Sequence, residues 1–322
     1  MGRMDDTSTV ILPAAAAEGP FVKVYAVDAG ELTLQEKFFI TEATDGKSNT
    51  VPSLSFLIEH KDARILFDGG LRHRPDDYRP LTAERIRNNL SPWIVKTDAA
   101  EYLQQHGLDP AVVDTVILSH VHYDHIGSPK TFPKARYIVG AGSLDAMSNE
   151  HSAGYDSSLF EPDLFDGHEV LELPPSSSTS FAAASETGVW REPHHTWKTF
   201  GPFTQAFDYF GDGSLYIIDA PGHMEGHINI LARVSANGWV YLGGDACHDP
   251  RILTGEKGIA TYLDVHGNCR SAHSRKDVAE QTIARIRRLL EADRGREEIE
   301  VILAHDYLWY RANRHRFYPQ HL

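Results

Sequence analysis

The run Asp114-Thr-Val-Ile-Leu-Ser-His120-Val-His122-Tyr-Asp124-His125-Ile-Gly127 constrains this chain more than any other segment. A short apolar stretch, read as a buried strand, gives way at once to three histidines and a carboxylate between positions 120 and 125. Such groups rarely sit inside a strand, because each loses its water without gaining a partner. At a strand end, where the chain turns, the same side chains converge on one point and can share cations.

More potential ligands follow apolar runs further along. Leu215-Tyr-Ile-Ile-Asp-Ala-Pro-Gly-His223-Met-Glu-Gly-His227 reads as a strand, a Pro-Gly turn and a loop with two histidines. Trp239-Val-Tyr-Leu-Gly-Gly-Asp245 is a strand ending on glycines and an aspartate, and Glu300-Val-Ile-Leu-Ala-His305-Asp306 ends in a histidine. In α/β proteins the ends of strands are where loops gather into a site. One strand-end histidine is usually structural, whereas this repeated pattern points to metal ligands. Neutral imidazoles and carboxylates suit zinc and also accept iron or manganese, so residue type leaves the metal open. Nothing in the chain matches a nucleophile elbow, a phosphate-cradling glycine loop or a dinucleotide fingerprint.

Taken in order, the HxHxDH at 120–125, Gly222-His-Met-Glu-Gly-His227, Gly244-Asp245 and the late His305 resemble the metallo-β-lactamase superfamily, across residues from about 60 to 306. The resemblance implies an α+β protein, a four-layer αβ/βα sandwich with two central mixed sheets flanked by helices. It implies one metal site from His120, His122 and His227, a second from Asp124, His125 and His305, and Asp245 as the bridge. In the 222–227 loop the second histidine is taken as the ligand, which leaves His223 a structural role. The implied cofactor is two divalent cations, zinc first, with manganese and iron as alternatives. Cations about 3.5–4 Å apart hold a shared hydroxide, the pKa of a bound water falling from about 15.7 towards roughly 7. Asp124 is then both ligand and proton carrier to the departing group.

The match narrows within the superfamily. Common β-lactamases use a cysteine at the second metal, where this chain offers Asp245 and His305; Cys247 reads as buried filler. The early hairpin Val51–His60 leading to Ile65-Leu-Phe-Asp68-Gly-Gly-Leu71, and the final Ala304-His305-Asp306 with aromatics after it, look like the lactone-opening subgroup that includes quorum-quenching acyl-homoserine lactonases. Those lactonases polarise the substrate carbonyl with a tyrosine three residues past the bridging aspartate. Here that position is His248, an N–H donor of different reach and pKa. The implied reaction is hydrolytic opening of a small cyclic ester or amide, a lactone or lactam, benzo-fused rings included. Asp124 and His248 are the catalytic residues on this reading. The alternative is a thioester hydrolase of the glyoxalase II type, or another metal-dependent member such as a nuclease or dioxygenase relative.

The 322 residues and 41% hydrophobic content fit one large domain over 21–322 after a flexible tail at 1–20. A formal charge of −14 argues against a nucleic-acid partner. Two cysteines suit a reducing compartment, and no apolar run approaches the ~20 residues that span a bilayer. The expectation is a cytoplasmic monomer or homodimer with a small-molecule substrate and no membrane partner. A long insert at about 150–203 lacks clear periodicity and reads either as a loop over the site, with Tyr155, Phe160, Trp190 and Trp197 as candidate walls, or as a solvated surface excursion, the first being preferred. His194 and His195 read as loop residues. His266 and His273 lie beyond the bridging aspartate, where either could touch substrate or be structural; His266 is the candidate substrate contact. Lys276 to Leu290 reads as an amphipathic helix burying Val278, Ile283, Ile286 and Leu290.

Overall fold

The computed structural model describes residues 12–13, 18–61, 63–148, 156–177, 196–264, 266–296 and 298–322. Its frame is a pair of six-stranded sheets. The first runs in space through Lys23–Val27, Ser55–His60, Ala63–Phe67, Thr115–Ile117, Arg136–Val139 and Val170–Glu172. Its first two pairings are antiparallel and the remaining three parallel. The second runs through Ile299–Ile302, Trp239–Leu242, Ile228–Arg233, Leu215–Asp219, Phe203–Asp208 and Lys198–Phe200. There only the pairing of Ile299–Ile302 with Trp239–Leu242 is parallel.

Alternation along the strands sets the layers. Val24, Ala26, Phe56, Ile58, Ile65, Phe67, Ile117 and Ile138 point inward and meet Ile217, Ile230, Val240, Leu242 and Ile302 of the other sheet. Their neighbours Leu57, Leu66, Val116, Tyr137 and Val139 face the opposite way, onto Ile86 and Leu103 of the helices Pro80–Asn89 and Ala99–Gln105. Leu231 and Tyr241 of the second sheet pack on Ile286 and Leu289 of the helix Lys276–Ala292. Helix, sheet, sheet, helix is the sandwich the sequence led us to expect. The last helix turns its seam slightly from expectation: Ala279, Thr282, Ile283, Ile286 and Leu289 are buried, whereas Val278 and Leu290 are half-buried at its edges.

Strand direction places the site. Ala63–Phe67, Thr115–Ile117 and Arg136–Val139 are mutually parallel, so the loops after them leave one edge of the first sheet. Leu215–Asp219, Trp239–Leu242 and Ile299–Ile302 likewise share a direction, two antiparallel pairings separating the first two and one parallel pairing joining the last two. Backbone bonds close the edges on each other: Ile228 N–H donates to Ser119 O at 2.8 Å and Leu54 N–H to Ala304 O at 3.0 Å.

Trp197, expected as a pocket wall, is instead part of the packing. Its ring meets Phe207 and its indole N–H donates to Pro174 O at 3.1 Å. A Trp in an irregular stretch has no periodicity to say which way it faces. Tyr155, Trp190, His194 and His195 lie outside the described residues, as does most of the N-terminal segment, although Leu12 packs beside the Trp239 cluster.

The loop at 221–223 is clamped by the start of the helix Lys276–Ala292. Ser274 and Arg275 N–H donate to the carbonyls of His223 and Gly222, and Thr282 Oγ1–H to that of Pro221 at 2.8 Å. Gly222 has φ +127°, and a Cβ there would lie 2.2 Å from Ala279 N. Gly222→Ala is expected to cost about 2 kcal/mol or more. Urea unfolding checks this: a lowered midpoint at unchanged slope is expected, and a midpoint equal to wild type would show that loop and helix separate freely.

Candidate metal centre

The site begins at Asp68, which ends the strand Ala63–Phe67 and is almost wholly buried. Its carboxylate accepts from Ser119 N–H at 2.7 Å and Ser119 Oγ–H at 2.8 Å, and faces His125 Nδ1 at 2.9 Å. One carboxylate thus anchors the start of the 119–125 loop and aims an imidazole from its end. The backbone adds a further brace, with Gly69 N–H donating to His125 O and Gly127 N–H to Gly70 O. A side chain at 69 or 127 would collide with the opposite strand of this brace, so both positions need glycine.

Three imidazoles meet on one side. His120 Nε2 lies 2.9 Å from His122 Nδ1 and 3.2 Å from His223 Nε2, and His223 Nε2 lies 3.0 Å from His122 Nδ1. On the other side Asp124, His125 and His305 form a second buried group. There His305 Nε2 is 3.6 Å from Asp124 Oδ2, while its Nδ1–H donates to Pro52 O at 2.7 Å. Asp245 stands between the groups. Its Oδ1 is 3.3 Å from both His125 Nε2 and His305 Nε2; its Oδ2 is 3.4 Å from His223 Nε2 and 3.8 Å from His120 Nε2.

The expected ligand His227 is displaced from this arrangement, and the reason is plain in its hydrogen bonds. Its Nδ1–H donates to Ala220 O at 2.9 Å and its Nε2 accepts from Asp245 N–H at 3.0 Å. With both nitrogens spent on backbone, His227 ties its loop to the strand end that carries Asp245. His223, read from sequence as the structural member of the pair, takes the place among the imidazoles. Two histidines four residues apart in a glycine-flanked loop give no sequence signal for which one faces inward.

Burial drives most of these rings to the neutral state. It lowers the pKa of His120, His122 and His223 well below the ordinary value, with neighbouring imidazoles adding to the effect for each and Asp245 opposing it. His227 is pushed down to about 4, again chiefly by burial. His125 moves the other way: burial alone would depress it, but the carboxylates of Asp245, Asp68 and Asp124 outweigh that and hold it well above its usual value. Burial likewise opposes ionisation of Asp245, yet the imidazoles of His305, His125 and His248 keep its carboxyl far below the ordinary range.

These side chains fit a pair of divalent cations. A zinc ion about 2.0–2.1 Å from each nitrogen spaces tetrahedral ligands roughly 3.3 Å apart, close to the separations within the first group. Three neutral lone pairs have little reason to converge otherwise. His125 Nε2 and Asp245 Oδ1, both aimed into the second group, have no hydrogen-bond partner although buried. Behind the rings, Ser119, Asp68 and the Pro52 carbonyl orient His120, His125 and His305, the outer support that metal-binding histidines require.

Around the centre, His248 Nε2 lies 3.1 Å from Asp245 Oδ2, with the Phe39 ring over it at 4.8 Å. Phe160, an expected wall, packs on His122 with ring centroids 5.5 Å apart. His266 does not reach the site: it is exposed in the turn between Tyr262–Leu263 and Cys269–Arg270. His273, the other histidine of that segment, is buried against His223 and His248. Cys247 is packed among Ile252, Ile259 and Leu303, away from any ligand role.

Residues 49–233 match the family model described as the metallo-β-lactamase superfamily. A γ-lactamase of Gibberella moniliformis is 31% identical over 57% of this chain and 70% of its own length. An N-acyl homoserine lactonase of Rhizobium johnstonii is 25% identical over 82% of this chain and 91% of its own. Among solved structures, an N-acyl homoserine lactone hydrolase with N-hexanoyl-L-homoserine at its catalytic metal centre superposes with a TM-score of 0.66, at 17% identity, covering 94% of this chain and all of that one. Some curated relatives are far longer: the chain spans 27% of a Penicillium brevicompactum cytochrome P450 monooxygenase that it matches at 31% identity.

The burial of His227 predicts a pH signature. The unfolded chain takes up a proton on this histidine near 6.5, whereas the folded protein refuses it until about 4. Its contribution is therefore complete above pH 6.5 and is lost as pH falls from 6.5 towards 4. In urea unfolding of the metal-free protein, His227→Gln is expected to be less stable than wild type at pH 7. The gap should narrow on acidification by up to about 1.4 kcal/mol per pH unit. A gap constant with pH would mean that burial does not hold His227 neutral.

Proposed function

The chain belongs to the metallo-β-lactamase superfamily, and on that premise we propose that it is a metal-dependent hydrolase that opens a small cyclic ester or amide. The observation that carries the reading is the Asp245 carboxylate, which presents one oxygen to His125 and His305 and the other to His223 and His120. On this reading His120, His122 and His223 hold one divalent cation, Asp124, His125 and His305 the other, and Asp245 both. Zinc is the first choice, with manganese and iron as alternatives. When bound, such a pair supplies Lewis acidity, polarising a carbonyl and making water acidic enough to attack at neutral pH.

The chain's own groups complete the reaction. A bond forms from water oxygen to the ring carbonyl carbon, the ring C–O or C–N bond breaks, and the departing atom needs a proton. Asp124 would take the proton that the attacking water gives up and pass it to the departing atom; its main-chain carbonyl accepts from Ser53 Oγ–H and its carboxylate lies beside His305. His248 offers an N–H to the carbonyl oxygen, in the role a phenol plays in the lactonases. Phe39 and Phe160 press on His248 and His122 and keep bulk water from the reacting carbon. The γ-lactamase and lactonase relatives support a cyclic amide or ester as substrate. A net charge of −14 speaks for a small molecule over nucleic acid, and among the described residues no helix is long and apolar enough to cross a membrane. A cytoplasmic monomer or homodimer remains the proposed form.

Removal of metal with a chelator should abolish opening of γ-butyrolactone, acyl-homoserine lactones and benzo-fused lactams, and zinc or manganese should restore it. A fully loaded protein that leaves every cyclic ester and amide intact, yet cleaves an acyclic thioester, would overturn the proposal in favour of the glyoxalase II-type alternative. His248→Phe should lower kcat by about 10²-fold with metal content unchanged by elemental analysis. Unaltered turnover would remove His248 from the mechanism.

A further inference from the structure

Beside the two ligand groups stands a third set of buried histidines. His223, His248 and His273 bring ring nitrogens within 4.8 Å of one another. His273 lies just before the helix Lys276–Ala292, and its ring centroid is 5.0 Å from that of His248 and 5.2 Å from that of His223. Neither ring nitrogen of His273 has a hydrogen-bond partner, and Nδ1 of His248 has none either. Each buried polar atom left this way costs about 1–3 kcal/mol. Three in one place mark a position where something polar binds.

What sets His273 apart is that neither of its nitrogens is engaged. His120, His125 and His305 each lean on Ser119, Asp68 or the Pro52 carbonyl. His122 and His223 each keep one unpartnered nitrogen but turn the other into the imidazole group. His273 does neither, so either of its nitrogens is free to donate or accept. A neutral imidazole has one donor and one acceptor, and a hydroxyl answers both with the same atom.

We propose that His248 and His273 form a substrate subsite for a hydroxyl group carried next to the scissile carbonyl, His248 meeting the carbonyl and His273 the hydroxyl. The inference rests on the ring-opening reading and narrows its substrate class to hydroxylated lactones or lactams. It makes His273 the residue that discriminates between a ring that bears this hydroxyl and one that lacks it. A site built to hydrogen-bond a substrate hydroxyl rejects the analogue without it, because its own polar atoms are then left unpaired.

The test compares α-hydroxy-γ-butyrolactone with γ-butyrolactone, and 7-hydroxyphthalide with phthalide, on the metal-loaded protein. Wild type should favour the hydroxylated ring by about tenfold or more in kcat/KM. His273→Leu should shrink that ratio to about threefold or less, chiefly through KM, and His273→Gln, which keeps a donor and an acceptor, should retain part of it. A second readout is independent of turnover: in protein labelled with 15N-histidine, 2,4-dihydroxybutanoate should shift the His273 ring resonances and 4-hydroxybutanoate should not. The proposal is overturned if wild type opens the plain rings with no preference, or if His273→Leu keeps the full ratio. It is equally overturned if wild type binds three cations per chain and His273→Leu two, since the pair then holds a metal. Should wild type open neither kind of ring, the functional reading fails, and the resonance experiment decides the subsite on its own.

Discussion

A single buried carboxylate organises this molecule. Asp245 is 2% exposed and is approached through its two oxygens by His120, His125, His223, His248 and His305. A negative charge so placed is untenable unless positive charge or hydrogen bonds compensate it. The imidazoles supply part of that compensation, and their crowding in turn calls for cations to share. The backbone of the same residue is spoken for, since its N–H donates to His227. Both ends of Asp245 thus depend on histidines from the loop at 222–227, and the loop depends on the helix that clamps it.

The two sheets make this convergence possible. Side chains from five strand ends reach one place because the strands of each sheet that carry them run in the same direction and because backbone bonds lock the two edges together. Close approach demands glycine at the seams. A Cβ at Gly244 would press on Ser119 and His227, and one at Gly140 on the Gly226 carbonyl. The glycines that look like turn punctuation in the sequence are therefore sites of contact between the two halves.

Much of this was legible in the chain. Apolar runs that stop at His or Asp marked the strand ends, and the helix at 276–292 announced itself by periodicity, its seam offset by about one residue. His120, His122, Asp124, His125, Asp245 and His305 lie close together in the fold. The choice between His223 and His227 did not survive, because loop histidines four residues apart differ only in which backbone groups reach them. Asp68 carried a signal that was passed over, a carboxylate directly after Ile-Leu-Phe and before Gly-Gly. His266 and His273 were equally legible as histidines beside the pocket, and only the fold buries His273 and exposes His266. Trp197 looked like a pocket wall only because its stretch lacks a pattern, and packing against Phe207 decided otherwise.

By itself the sequence determined which residue types would lie at strand ends, and so the kind of chemistry on offer, because period-two burial and the cost of burying charge are local rules. Only the tertiary structure decided which histidine joins the group of imidazoles and which faces a carbonyl. It also left both ring nitrogens of His273 and one of His248 without partners beside the centre. Those outcomes depend on hydrogen bonds between segments some fifty to two hundred and fifty residues apart, such as Asp68 to Ser119 and Pro52 to His305, and no pattern along the chain encodes them.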